Sequence, residues 1–309
     1  MSKSILNPIV VAITTYKRPE LLDRLLDAVM VQSIQNPAWS AISILVVDND
    51  PEGTAKSAAV SRAGVRYVME SAPGIAAARQ RALDEVDNDT LLVCLDDDVL
   101  PTGDWLAPLI QAWRSSAATI VTGFVQYVYP DDTEAWVVEG GFMTRNIIPT
   151  GTHLGEAAAG NMLVDVGQVR SLGVEFDQTL GLSGGEDSLF SRQVVRAGGS
   201  IVACQESVVL GHIPIERTTR TFCRNRARSH GSVSVLVGLR LSPSQTGRFL
   251  VRFRGMIGGA MRLVWGFLLS ARGIFASAPG AAGNGVRIAA RGRGMMAAAL
   301  GSLSNEYQR

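Results

Sequence analysis

Cysteine pairs, lysine and long uncharged apolar runs are what this 309-residue sequence has least of. Its three cysteines, Cys94, Cys204 and Cys223, are odd in number and widely scattered. That argues against a disulfide framework or a zinc site and suits a reducing compartment. No run of about 18 apolar residues is free of charge, so no membrane-spanning helix is expected. Met1–Pro8 is polar and too short for a signal peptide, and no internal repeat is found. These absences together predict a cytoplasmic protein.

Acid is missing from one end. From Arg248 onward there are nine arginines against one acid, Glu306, whereas residues 1–247 carry 20 basic and 27 acidic residues. A net charge of +1 therefore conceals a basic tail on an acidic body, a distribution that points to an anionic surface. With 47% hydrophobic and 18% charged residues, the chain is globular and long enough for one large domain plus an appendage. The expected division is a catalytic domain over 1–215 and a basic helical region over 216–309.

Pro8–Thr15 is an unalternated apolar run, as a strand buried on both faces would be. Pro19 is well placed to open a helix carrying Leu21, Leu22, Leu25, Leu26 and Val29 on one face. Ala41–Val47 and Val65–Met69 read as strands, with a helix over Ile75–Val86. Leu91–Leu95 is a further strand, ending in Asp96-Asp97-Asp98, and a helix follows near Trp105–Ser115. Strand and helix alternate, and polar residues gather at the strands' carboxyl ends. That is the pattern of an open α/β sheet with its ligand crevice outside those ends. Thr119–Val128, Ala157–Val166 and Ile201–Leu210 are expected as later strands. Gly181–Asp187 reads as a flexible loop entering a helix.

Three carboxylates at one strand tip repel one another unless a cation sits among them. A divalent metal carrying a phosphorylated ligand fits, because hard cations take carboxylate oxygens. A solvated acidic turn is the plainer alternative. Glu186 and Asp187 are likewise either functional carboxylates or ordinary dipole partners of a helix start. His212, alone after its strand, ranks behind them.

Taken in order, these segments resemble a bacterial family 2 glycosyltransferase of the exopolysaccharide-building kind. The resemblance rests on Thr14-Thr15-Tyr16-Lys17-Arg18-Pro19, Val46-Val47-Asp48-Asn49, Gly74-Ile75-Ala76-Ala77-Ala78-Arg79, Leu95-Asp96-Asp97-Asp98, Gly160-Asn161 and Gly185-Glu186-Asp187. It spans residues 8 to about 230. It implies a GT-A fold: an open, mostly parallel nucleotide-binding sheet flanked by helices. It also implies a nucleotide-sugar donor, Mg²⁺ or Mn²⁺, and inversion at the anomeric carbon. By the same resemblance, Thr14, Tyr16 and Arg18 line the nucleotide pocket, Asp48 meets the base and Arg79 braces the diphosphate side. Asp96 and Asp98 frame the metal, with Asp98 the direct ligand and His212 near it, and Asp97 is placed with Asp96 among the residues that bind the nucleotide sugar. Asn161 faces sugar or acceptor, and Asp187 is the base ahead of Glu186. The Gln-x-x-Arg-Trp motif of processive relatives is missing, and Arg224, Arg226 and Arg228 stand in that region instead. Transfer of one sugar per acceptor is therefore expected, with a UDP-hexose as donor by family habit.

Rival readings lack their own signatures. A nucleotidyltransferase calls for a glycine- and lysine-rich loop that Thr14–Pro19 does not supply. A dehalogenase-type phosphatase needs a lysine after its Asp motif, yet Lys3, Lys17 and Lys56 all precede it. An inactive carbohydrate-binding scaffold is the non-enzymatic alternative. Nucleic acid is not expected as a partner, because aromatics do not interleave with the tail's arginines. In that tail, apolar patches alternate with arginine. The readings there are an added helical layer, a set of helices lying on an anionic membrane, or a span. Membrane contact would suit a polyprenyl-diphosphate-linked acceptor and a peripheral position at the cytoplasmic face of the inner membrane.

Overall fold

The computed structural model describes residues 7–35, 42–180 and 184–302. The expectations for Met1–Leu6, Ala41, Gly181–Ser183 and the last residues, with Glu306 and Arg309, lie outside the described residues. The elements are β1 (Ile9–Thr15), α1 (Pro19–Gln35), β2 (Ile42–Asp48), α2 (Lys56–Val60), β3 (Val65–Met69) and α3 (Ile75–Asp84). Then come β4 (Leu91–Asp96), β5 (Val99–Pro101), α4 (Leu106–Ser116), β6 (Ile120–Val128), α5 (Ala135–Val138) and β7 (Asn161–Asp165). The remainder is α6 (Val166–Ser171), α7 (Glu186–Arg196), β8 (Ile201–His212), α8 (Arg220–Arg240), α9 (Gln245–Phe275) and α10 (Pro279–Ala299).

The expected open α/β sheet is present, with eight strands in the order β3-β2-β1-β4-β7-β6-β8-β5. Its first four strands pair in parallel. β7 runs antiparallel to both β4 and β6, and β5 runs antiparallel to β8. The unalternated strands are buried on both faces, as their sequences require. Ala12, Leu45, Leu92 and Cys94 meet Ala78 and Ala82 of α3 and Phe190 and Val194 of α7 in one core. Their strand neighbours Val11, Ile13, Val46 and Val93, which point to the opposite face, are buried as well. Phe176 stacks on Phe190 within that core, centroids 3.9 Å apart.

One boundary moves. The expected strand Ala157–Val166 is only β7, and α6 starts directly after it. Asp165 caps that helix, its carboxylate accepting from the Gln168 N–H at 3.0 Å, which satisfies an orphan donor and turns the chain.

The chain divides into two compact units. The first runs through the described residues up to Gln126, resumes from Arg145 to Leu180 and ends with Glu186–Gly211. The second takes Tyr127–Thr144, Gly184, Gly185 and the chain from His212 onward. It differs from the expected division at 215/216 chiefly by recruiting the 127–144 segment. Within this second unit Trp136 stacks on Phe142 at 4.8 Å, the Arg220 guanidinium lies 5.2 Å from the Trp136 ring, and Arg287 Nε donates to the Gly140 carbonyl at 3.0 Å.

In the second unit α10 packs along α8 and α9 with almost no side chain between the backbones. A Cβ built on Gly266 of α9 would lie 2.5 Å from the Gly285 carbonyl of α10, and one on Gly259 would lie 2.8 Å from the Gly292 carbonyl. Gly231 of α8 and Gly294 of α10 make equally close approaches to the facing helix backbone. Ser232 Oγ donates to the Gly294 carbonyl at 3.1 Å, and Arg252 Nη1 donates to the Ala299 carbonyl at 2.7 Å.

Candidate active site

Strand register gathers the polar residues of the first unit. Thr15 pairs Asp48 across β1 and β2, Thr14 pairs Asp96 across β1 and β4, and Asn161 pairs Leu95 across β4 and β7. All of them therefore lie at the carboxyl end of the parallel strands, where an open α/β sheet places its ligands.

The three aspartates after β4 have distinct surroundings. Asp97 is buried, accepting from Thr15 Oγ1 at 2.8 Å and from Arg18 Nη1 at 3.0 Å. Burial pushes its carboxyl up to about 6, and the Asp98 charge adds to this, while Arg18 and Thr15 pull the other way. Asp96 and Asp98 keep 31% and 29% of their side-chain surface open. Arg18 also reaches Asp98, at 3.5 Å. Asp97 thus ties the tip to the β1 loop, and its neighbours on either side stay accessible. That loop carries one local peculiarity. Lys17 has a left-handed backbone, φ 54°, which non-glycine residues adopt at some cost and which recurs at binding sites. Tyr16 is half-buried, with Lys17 Nζ 5.6 Å from its ring centroid.

Arg79, expected to brace a diphosphate, is buried between two carboxylates. Nη2 donates to Asp96 Oδ1 at 2.7 Å, and Nη1 donates to Glu186 Oε1. Burial works against the Arg79 charge, but Asp96 and Glu186 hold its pKa above the usual value. Burial likewise raises the Glu186 carboxyl, opposed by Arg79 and reinforced by the Asp187 charge. Glu186 is therefore a fixed anchor of the first turn of α7. Asp187, one residue on, is only partly buried, and one of its oxygens accepts from the Ser188 N–H at 2.7 Å. Of the two carboxylates, Asp187 is the one with exposed surface.

Asp48 is fully buried and its oxygens are occupied by its own surroundings. Oδ1 accepts from the Asp50 N–H at 3.0 Å, and Oδ2 accepts from the Ala55 N–H at 3.1 Å and from the Tyr67 hydroxyl at 3.0 Å. It shapes the loop after β2. Asn161 is buried too, its Nδ2 donating to the Ser207 carbonyl at 3.0 Å. Its Oδ1, like the Thr14 hydroxyl, is buried without a hydrogen-bond partner among the described residues. His212 ends β8 as an exposed residue of the second unit.

Sequence reasoning passed over several residues that build this site. Asn49 bridges two loops, donating to the carbonyls of Glu70 at 2.9 Å and Ala72 at 2.7 Å and accepting from the Gly74 N–H at 2.9 Å. Gly160 leaves the Asp96 carboxylate its room, since a Cβ there would lie 3.2 Å from Asp96 Oδ2 and press on it. Gly123 leaves room for the Asn161 amide in the same way. Asn49 and Gly160 lie inside the quoted segments, so their presence was a signal; Gly123 gave none.

Among the described residues no group of three or more His, Cys, Asp or Glu side chains could hold a metal ion. Asp96 and Asp98 offer two accessible oxygen ligands. That donor set fits a hard cation such as Mg²⁺ or Mn²⁺, which can be held by one or two carboxylates with phosphate oxygens and water filling the other positions.

Known proteins point the same way. The sequence profile described as Glycosyl transferase family 2 matches residues 10–172. Succinoglycan biosynthesis protein ExoM of Rhizobium meliloti is 30% identical over 233 residues, covering 72% of this chain and 73% of that protein. Among solved structures, GalNAc-T7 in complex with UDP, GalNAc and Mn²⁺ superposes with a TM-score of 0.52 at 16% identity. The mannosyltransferase PcManGT from Pyrobaculum calidifontis, in complex with GDP-Man and Mn²⁺, also gives 0.52, at 17% identity. The matches cover 74% and 78% of this chain, but only 48% and 66% of those two chains. At such identities the likeness speaks for the fold, which is the GT-A fold. The profile runs from β1 through the Asp96–Asp98 tip to the end of α6, and the ExoM match extends over most of the chain, so this protein belongs to glycosyl transferase family 2.

Proposed function

We propose that the chain is an inverting, metal-dependent hexosyltransferase of exopolysaccharide assembly. It moves one sugar from a nucleotide-diphospho-sugar, a UDP-hexose, to a hydroxyl of a polyprenyl-diphosphate-linked acceptor at the cytoplasmic face of the inner membrane. The observation that carries this reading is the chain of ion pairs Asp96–Arg79–Glu186. It ties the accessible strand-tip carboxylates to the helix turn that presents Asp187. The likeness to ExoM supports the exopolysaccharide setting. GalNAc-T7 in complex with UDP, GalNAc and Mn²⁺, and PcManGT in complex with GDP-Man and Mn²⁺, support the donor class.

Each residue then has a task. Asp98 and Asp96 would hold the divalent cation with their partly exposed carboxylates, which Arg18 and Arg79 pair with from the protein side. When bound, the cation neutralises the charge that develops on the leaving diphosphate. Asp187 accepts the acceptor hydroxyl's proton as that oxygen bonds to the anomeric carbon and the diphosphate departs from the opposite side. One carboxylate suffices for a single inverting displacement. Glu186 holds the turn in place and takes no proton from substrate. The buried, unpartnered oxygens of Thr14 and Asn161 are the protein's spare acceptors beside this crevice.

The test is calorimetric titration of UDP-, GDP- and dTDP-sugars with Mn²⁺ or Mg²⁺, followed by turnover on a lipid-linked acceptor. Asp98→Ala should lose metal-dependent donor binding. Asp187→Asn should keep it while kcat falls by about 10²–10⁴. A folded wild type that binds no nucleotide sugar in the presence of metal would sink the proposal and favour a carbohydrate-binding scaffold.

A further inference from the structure

The α9 helix presents its apolar residues on the side away from its packing partner. Gly255, Gly259, Gly266 and Gly273 form the buried side, and the α10 backbone lies against Gly259, Gly266 and Gly273. On the opposite side Phe253, Ile257, Met261, Val264, Leu268 and Phe275 recur at helical spacing, and all are exposed, Phe275 by 90%. Trp265 is 61% exposed beside this stripe. From Phe253 to Phe275 the stripe runs about 33 Å. A contiguous patch of this kind marks an interaction surface.

Charge selects the occupant. No acid lies between Glu216 and Glu306, so α8, α9 and α10 carry arginine alone. Arg254 and Arg272 are 18 residues, or five turns, apart, which puts both on one shoulder of the stripe, and both are exposed. Apolar residues flanked by arginine with no counter-acid would repel a second copy of the same face and attract an anionic one. No helix among the described residues is long and apolar enough to cross a membrane. We propose that the outward face of α9 is a membrane-docking surface that lies in the interface of a bilayer containing anionic phospholipid. Its apolar stripe enters the acyl boundary, and its arginines pair with lipid phosphates. The glycine seam holds α9 rigid against α10, so the stripe is preformed before it meets lipid. This inference uses only the helices of the second unit and is independent of the donor chemistry.

The experiment is flotation of the full-length protein with vesicles of phosphatidylglycerol mixed with phosphatidylcholine, compared with phosphatidylcholine alone. Wild type should float with the mixed vesicles. Met261→Glu with Leu268→Glu should weaken partitioning by about tenfold or more. Arg254→Gln with Arg272→Gln should weaken it less and abolish the preference for phosphatidylglycerol. Brominated acyl chains should quench fluorescence in wild type, and the quenching should be largely lost in Trp265→Phe, a readout that does not depend on the charged variants folding. Three results would overturn the proposal: wild type that stays with the unbound fraction, a Met261→Glu/Leu268→Glu protein that floats unchanged, or a wild-type dimer that those substitutions dissociate. The last would assign the face to contact between copies.

Discussion

The two units hold themselves together by opposite means. In the first, large side chains fill the space between sheet and helices, and buried charges are paired across long sequence distances. In the second, α9 and α10 approach until backbone meets backbone and the large apolar side chains of α9 turn outward, and a core of buried apolar residues gathers around Trp136 and Phe142. The sheet unit tolerates loss of volume or charge poorly, and the helical unit tolerates gain of volume poorly.

The largest expected effect tests the charged side of this contrast. Arg79→Ala strands Glu186 in the interior and should cost about 3–5 kcal/mol in a urea unfolding experiment, with Arg79→Met/Glu186→Leu recovering much of it. A loss within that of ordinary surface substitutions would mean the buried pairs are not what fixes α7. A second effect follows pH. The folded Asp97 carboxyl, at about 6, holds its proton more tightly than its unfolded value of 3.8. Its contribution to stability is therefore fully present below the unfolded value and is lost as pH rises through about 6. Relative to Asp97→Asn, wild type should lose on the order of 3 kcal/mol across that window, and parallel stability curves for the two proteins would refute it.

For the helical unit, Gly266→Val should cost about 1–3 kcal/mol in thermal unfolding, because the added carbons meet the Gly285 and Ala289 backbone. A neutral result would show that the seam can open. The smallest signal is a null one. All three cysteines are buried, and burial pushes the Cys94 thiol up to about 12. At pH 8 native protein should therefore leave an aromatic disulfide reagent unreacted over the period in which urea-unfolded protein consumes it. Rapid reaction of one thiol would locate a unit that opens locally.

The sheet was legible because its strands are unbroken apolar runs, each ending in a polar cluster, and burial on both faces leaves few other ways to fold such a run. The carboxylate tip was legible for the same reason. The partnership of Arg79 with Glu186 was not, because it joins residues 107 apart and no local period reports it. Asp165 shows the limit at short range. An aspartate ending an apolar run reads equally as strand end or helix cap, and only the Gln168 N–H decides. The second unit was the least legible. Its glycines are visible as composition, but their alignment on one side of α9 depends on helix register and on a partner helix that lies after a turn of the chain. The join of 127–144 to the C-terminal helices rests on tertiary contacts such as Arg287 with Gly140, which no composition shift announces.

The glycine seam has an evolutionary consequence. Because α9 and α10 recognise each other through main chain, the outward side chains of α9 have no role in holding the pair together. Drift at Phe253, Met261 or Leu268 can then retune the surface to a new environment without refitting an interior. The same arrangement leaves the seam glycines almost no permitted substitutions, so across lineages the seam side of this helix should stay fixed while the lipid-facing side varies among apolar residues.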